Sequence, residues 1–253
     1  MLLAIDAGNT NIKLGLFQGA ELLANWRLAT DRSRTADEYG NDVRGLFASI
    51  DVKQVEAIVI TCVVPQLHDT LRMMSERYFE LTPLFVDHTT KTGLTILYDN
   101  PSELGADRIV NAVAAVEKYG APCVVIDFGT ATTFNAINSK REYLGGIIAP
   151  GLMTAADALF ARAARLPRVA IERPKKVIAT STIEAMKSGL FYGYGSLVDG
   201  LIERMLEEME ETPKVIATGG LAELMEHASR YKYQIDENLT LDGLRIVYEL
   251  NKA

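Results

Sequence analysis

Three features predict a mixed α/β fold built from two similar domains. The stretch from Cys123 to Phe134 reads C-V-V-I-D-F-G-T-A-T-T-F, an apolar run that ends on an acid and continues into glycine and hydroxyl residues. Such a run predicts a buried strand meeting a tight turn. The opening, M-L-L-A-I-D-A-G-N-T-N, nearly repeats it: Asp6 aligns on Asp127, Gly8 on Gly129 and Asn9 on Thr130, at an offset of 121 residues (127 − 6) in a chain of 253. Around each copy the order strand, strand, strand, helix, strand, helix is legible. Two acid-ended hairpins half a chain apart predict domains at 1–118 and 119–253, facing each other across a cleft.

The elements follow in order. Met1 to Ile5 is a short strand, Asp6–Asn11 turns, and Ile12–Phe17 and Leu22–Ala29 complete an antiparallel meander. Thr35 with Glu38 three residues on predicts a capping box and a helix to about Ser49. Val55–Val64 is apolar and β-branched, a buried strand, and Pro65 opens a helix to about Phe79. Leu84–Val86 is a further strand, and His88–Pro101 is polar and turn-rich. From Asp107 the spacing of Ile109, Val110, Val113 and Val116 predicts a helix ended by Gly120-Ala121-Pro122.

The second half repeats the opening, with strands at Val124–Ile126, Thr133–Ile137 and Tyr143–Ile148. A helix is expected from Leu152 to Ala164, then an irregular basic segment, Leu166–Ala179. Ser181 and Glu184 predict a second capping box and a long helix to about Glu211. Lys214–Thr218 is a strand running into Gly219-Gly220, followed by helices to about Arg230 and from Asn238 to Leu250.

Composition narrows the function classes. Hydrophobic content of 48% and charged content of 23% are those of a chain with sizeable cores. A net charge of −7 argues against nucleic acid or an anionic membrane as the main partner. Asp6 interrupts the only apolar run near the start, so neither a leader nor a membrane span is expected, and the cytoplasm is the expected compartment. Cys62 and Cys123 flank apolar strands and read as buried free thiols. His68, His88 and His227 share no metal spacing and read as surface or structural residues.

Three stretches carry chemistry. The turn Asp6–Lys13 can aim N–H groups and hydroxyls at phosphate, with an acid able to hold hydrated Mg²⁺. Taken singly, it and Asp127–Thr130 are each equally compatible with a plain hairpin turn. Gly105-Ala106-Asp107-Arg108 sets a carboxylate able to accept a proton beside a guanidinium able to bind an anion, at a helix start. The alternative there is an ordinary acidic first turn with a solvated arginine. Thr218-Gly219-Gly220 lets a flat ring lie against the backbone, or is a tight strand-to-helix turn. Neither a Walker-A loop nor a G-x-G-x-x-G run is present.

Taken together, D-A-G-N-T-N-I-K (6–13), Y-D-N-P with G-A-D-R (98–108), D-F-G-T-A-T-T-F (127–134), G-G-I-I-A-P-G-L (145–152) and T-G-G (218–220) resemble the type III pantothenate kinases, along essentially the whole chain and in that family's order. The resemblance implies duplicated actin-like (ribonuclease H-like) domains with mixed sheets flanked by helices, a homodimer, and transfer of the γ-phosphoryl of ATP to pantothenate.

It implies an ATP phosphate loop at Asp6, Ala7, Gly8, Asn9, Thr10, Asn11, Ile12 and Lys13, and a further ATP contact at Thr130. Asp107 matches the general base, and Tyr98, Gly105, Ala106, Arg108 and Thr182 match substrate contacts, Arg108 suiting the pantothenate carboxylate. Asp127 matches the ligand of a monovalent cation, potassium or ammonium, used alongside Mg²⁺. Ser181 stands where the family usually has asparagine. Gly189, Gly193 and Gly195, on or near one face of the long helix, are the candidate dimer contact, or else mark a kinked helix packed inside its own domain. The competing function is a nucleotide-binding regulator without turnover, which would have no need of Asp107.

Overall fold

The computed structural model describes residues 1–48, 50, 54–163 and 165–252. The chain folds as two compact units. The first comprises Met1–Leu94, Asp99–Ala114 and Asn238–Ala253, the second Thr95–Tyr98 and Ala115–Glu237. The units are therefore discontinuous in sequence, unlike a single cut at 118/119.

In the first unit β1 (Leu2–Ala7), β2 (Asn11–Gln18) and β3 (Glu21–Ala29) form the expected antiparallel meander. Next, β4 (Ala57–Cys62) pairs parallel to β1 and β5 (Leu84–Phe85) parallel to β4, giving the sheet order β3-β2-β1-β4-β5. Successive strand residues point to opposite faces, and both faces of β1 are covered. Leu3 and Ile5 pack with Tyr39, Val43, Leu67 and Leu71 of α1 (Ala36–Phe47) and α2 (Pro65–Phe79). Leu2 and Ala4 pack with Val110 and Val113 of α3 (Ala106–Tyr119) and with Leu241, Leu244 and Val247 of the C-terminal helix, Leu239–Asn251. That packing is why the C-terminal helix belongs to the first unit.

Local chemistry sets the helix ends. Thr35 accepts a hydrogen bond from the Glu38 N–H while the Glu38 carboxylate accepts from the Thr35 N–H at 2.8 Å, completing the capping box. Pro65 starts α2, and Glu80 in the left-handed region (φ 58°) ends it. The indole of Trp26 in β3 lies 5.6 Å from the Phe47 ring.

The second unit repeats the plan. Strands β7 (Cys123–Phe128), β8 (Ala131–Ile137) and β9 (Glu142–Pro150) are antiparallel, and β10 (Lys214–Thr218) and β11 (Gln234–Ile235) add parallel pairs beside β7. The resulting order β11-β10-β7-β8-β9 matches that of the first sheet, with β6 (Thr95–Ile96) added parallel to β9. Its core is formed by Val124, Ile126, Phe134, Phe191, Val198, Ile202 and Ala217. Two mixed sheets sharing one five-strand plan confirm the duplicated α/β architecture.

Several expected boundaries move. The turn-rich 88–101 segment contains β6, a pairing of two residues that no periodicity announces. The long helix from Thr182 is α5 (Thr182–Ser188), a wide π-turn at Gly189–Gly193 and α6 (Tyr194–Glu208), and it stops short of Glu211. The helix expected to reach Arg230 is α7 (Ala222–Glu226). Beyond it the buried carboxylate of Asp199 accepts the Ser229 hydroxyl and the Arg230 N–H, turning the backbone away. Another helix, α4, covers Leu152–Arg162; its expected end at Ala164, like that of α1 at Ser49, lies outside the described residues. With α4 to α7 placed, the C-terminal helix is α8.

Candidate active site

In the first unit Asp6 lies at the end of β1, in register with Lys13 on β2 and Thr61 on β4. Its carboxylate is buried: Thr61 donates to Oδ1 at 2.9 Å, and Lys13 Nζ is 3.9 Å from Oδ2. The turn closes with the Gly8 N–H donating to the Asn11 carbonyl at 3.0 Å. Thr30, the residue after β3, braces it through an N–H to the Thr10 carbonyl (3.0 Å) and a hydroxyl to the Gly8 carbonyl (2.6 Å). Asn9 and Thr10 are exposed, and Arg32 reaches the Asn9 side chain at 3.3 Å. Ala7 and Ile12 are buried in the core, so any ligand contact they make is through backbone.

At the start of α3 the Asp107 Oδ1 accepts the Arg108 N–H at 2.8 Å. A Cβ on Gly105 would lie 2.5 Å from that oxygen, so the carboxylate folds back over a position that suits glycine. Ala106 and Asp107 are half-buried. Arg108 is buried at 5% exposure, which rules out the solvated arginine. Upstream, a 3-10 turn at Pro101–Glu103 is capped by Asn100, which accepts from the Ser102 N–H and hydroxyl.

In the second unit Asp127 is in register with Thr133 on β8 and Thr218 on β10. Gly129 donates its N–H to the Ala131 carbonyl at 3.1 Å, much as Gly8 closes the first hairpin, and Gly129 and Thr130 are exposed. Gly219, with φ +94°, abuts this strand end: a Cβ there would lie 2.6 Å from the Phe128 carbonyl oxygen and 2.7 Å from Asp127 Oδ1. A side chain is excluded on both counts. Tyr98 packs against Tyr143, ring centroids 6.2 Å apart. Thr182 is exposed at the first turn of α5, on an open apolar groove of about 520 Å³ that also includes Leu159, Met186 and Leu190. Ser181 caps this helix by accepting the Glu184 N–H at 3.3 Å, while the Glu184 carboxylate pairs with Lys187 rather than closing a box.

The structure thus groups Asp6 with Lys13 and Thr61, Gly105 with Asp107 and Arg108, and Asp127 with the Thr218-Gly219 turn. Sequence reasoning missed the bracing residues Thr30 and Thr61 and, on the second turn, Gly151 and Thr154, whose N–H and hydroxyl donate to the Thr130 carbonyl at 3.1 and 2.7 Å. The 121-residue offset contains a signal for one pair, since it carries Thr30 onto Gly151, each the first residue after the third strand. Among the described residues no three His, Cys, Asp or Glu side chains cluster to cage a metal. Single strand-end carboxylates beside turns rich in N–H and hydroxyl groups suit a hydrated Mg²⁺ shared with phosphates.

Duplicated mixed sheets, each with an acid-ended β-hairpin, give the chain a fold that solved sugar kinases share. A ROK family glucokinase from Streptomyces griseus, solved with glucose and AMPPNP, has the same fold at TM-score 0.54, 12% identity and 98% coverage of both chains. A Baf family transcriptional activator from Campylobacter jejuni gives TM-score 0.63, 20% identity and 98% coverage of both. The sequence profile of type III pantothenate kinases matches residues 2–204. A type III pantothenate kinase of Koribacter versatilis is 53% identical over 265 aligned positions, covering 100% of this chain and 97% of the relative. The chain belongs to the type III pantothenate kinase family and is a kinase.

Proposed function

We propose that the chain transfers the γ-phosphoryl of ATP to the primary hydroxyl of pantothenate, giving 4'-phosphopantothenate and ADP, the first step of coenzyme A biosynthesis. The observation that carries this is the 53% identity to a pantothenate kinase along the whole chain. The bond formed joins the pantothenate oxygen to the γ-phosphorus, the bond broken is the β–γ bridge, and the hydroxyl proton goes to Asp107. Its carboxylate suits the task because Gly105 leaves it room and the Arg108 N–H holds one of its oxygens in place.

Arg108 pairs with the pantothenate carboxylate, while Tyr98, Gly105, Ala106 and Thr182 contact the rest of that substrate. The Asp6–Lys13 turn and Thr130 bind the ATP phosphates. Asp6 and the phosphates would hold Mg²⁺, which supplies charge neutralisation on the transferred group, and Asp127 would ligate potassium or ammonium. No described helix is long and apolar enough to cross a membrane, and we place the enzyme in the cytoplasm as a homodimer.

The test is ADP release from purified protein with Mg-ATP and pantothenate, in potassium and in sodium. Turnover that requires pantothenate and rises in potassium is expected. Nucleotide binding without turnover would identify a regulator, and turnover with a different alcohol would identify another kinase.

A further inference from the structure

The second hairpin turn is braced in two layers, as the first is by Thr30 and by the buried Tyr39, whose hydroxyl donates to the Asp31 carbonyl at 2.9 Å. Gly151, at the head of α4, donates its N–H to the Thr130 carbonyl at 3.1 Å, much as Thr30 does to Thr10. Here the Thr154 hydroxyl donates to the same oxygen at 2.7 Å. Gly151 lies so close that a Cβ there would collide with the Gly129 and Thr130 carbonyl oxygens. The next layer down is Tyr194. Its ring is buried at 7% exposure, and its hydroxyl sits 2.8 Å from the Pro150 carbonyl and 2.7 Å from Thr132 Oγ1. A carbonyl can only accept, so Tyr194 donates to Pro150 and accepts from Thr132.

One phenol therefore ties the residue before Gly151 to a residue two positions beyond Thr130. The circuit Thr132–Tyr194–Pro150–Gly151–Thr130 closes under the exposed turn. Burial raises the Tyr194 pKa, so the hydroxyl keeps its proton and stays a donor across the neutral range. Tyr194 also follows directly on the π-turn Gly189–Gly193. Such wide turns interrupt regular helix bonding and cluster at functional sites.

We propose that the Tyr194 hydroxyl, acting through Pro150, Gly151 and Thr154, is a positioning group that fixes the Gly129–Thr130 turn for nucleotide binding. This rests on the assignment of Thr130 as an ATP contact. The turn carries its ligand on exposed backbone and a rotatable hydroxyl, so its affinity depends on a peptide plane that cannot swing. Two donors on one carbonyl, both at the head of α4 next to the Pro150 carbonyl that the buried phenol holds, supply that constraint.

The experiment is calorimetric titration of the full-length protein with Mg-ADP, together with steady-state kinetics in Mg-ATP and pantothenate. Tyr194→Phe should weaken Mg-ADP binding and raise the KM for ATP by about 2–10-fold, the equivalent of one ordinary hydrogen bond. The KM for pantothenate at saturating ATP should not move. Thr154→Ala should act in the same direction, and Thr154→Ser, which keeps the hydroxyl, should restore binding. A lowered melting temperature in Tyr194→Phe with unchanged Mg-ADP affinity would make the phenol merely structural and overturn the proposal. If Tyr194→Phe does not fold, the Thr154→Ala and Thr154→Ser pair decides. Thr130→Ala separates the two levels: unchanged Mg-ADP binding there would remove the underlying assignment. Weakened binding in Thr130→Ala with normal binding in Tyr194→Phe and Thr154→Ala would sink this proposal alone.

Discussion

Asp107 shows how much of the proposed chemistry depends on one side chain's setting. Its carboxylate has one oxygen on the Arg108 N–H and sits over a glycine. Asp107→Asn keeps the shape and removes the basicity, so turnover should fall by about 10²–10⁴-fold while Mg-ADP titrates as in the parent. Full turnover in that variant would take Asp107 out of the role. At the other extreme is Cys123, fully buried at the start of β7, where burial pushes the thiol up to about 12. It is structural, as the flanking apolar residues indicate. The residues the sequence displayed best were those whose type has one job: acids at strand ends and a glycine before Asp107. Thr61, Thr154 and Tyr194 were invisible because threonine and tyrosine are common in strands and helices, and only three-dimensional proximity gives these three a partner.

Among the elements, those with local signals were legible almost to the residue. Thr35 and Glu38 predicted the start of α1, and Pro65 that of α2, because caps and prolines act over one turn of chain. The Thr35 N–H and hydroxyl hold Glu38 below its ordinary carboxylate pKa. A carboxylate lowered on folding stabilises the fold above its unfolded pKa, and that contribution disappears as pH falls through the lowered value. Glu38→Gln should therefore be less stable than the parent at neutral pH, with the gap in denaturant midpoint closing below about pH 4. Elements made by long-range pairing were not legible: β6 and β11 have two residues each, whereas the π-turn at Gly189–Gly193 begins and ends on glycines that left a kinked helix open. The assignment of α8 to the first unit comes from Leu241, Leu244 and Val247 meeting Val110 and Val113. Leu244→Ala, at a fully buried position, should cost about 2–5 kcal/mol, read by chemical denaturation; a loss under about 1 kcal/mol would mean that α8 packs loosely.

For the whole molecule, exposed apolar surface is concentrated in the second unit, where Ile148, Met153, Val177, Ile178 and Ile183 are all exposed. The three helix glycines divide. Gly195 packs on Ala228 inside its own unit, whereas Gly189 and Gly193 are exposed with open space beside them. In the proposed homodimer these two allow close approach of a partner. Gly193→Arg should keep the parent's far-ultraviolet circular dichroism spectrum and sediment as a monomer; a dimer of unchanged strength would move the interface elsewhere. The duplicated plan itself was legible because the 121-residue offset links Asp6 to Asp127 and still links Ala29 to Pro150, the last residues of β3 and β9.

The chain has a single tryptophan, and Trp26 lies in the first unit against Phe47. Long-wavelength ultraviolet emission is consequently a reporter on that half alone, the other half contributing only weaker tyrosine light. Melting curves from indole emission and from far-ultraviolet circular dichroism will superimpose only where both halves come apart as one cooperative transition.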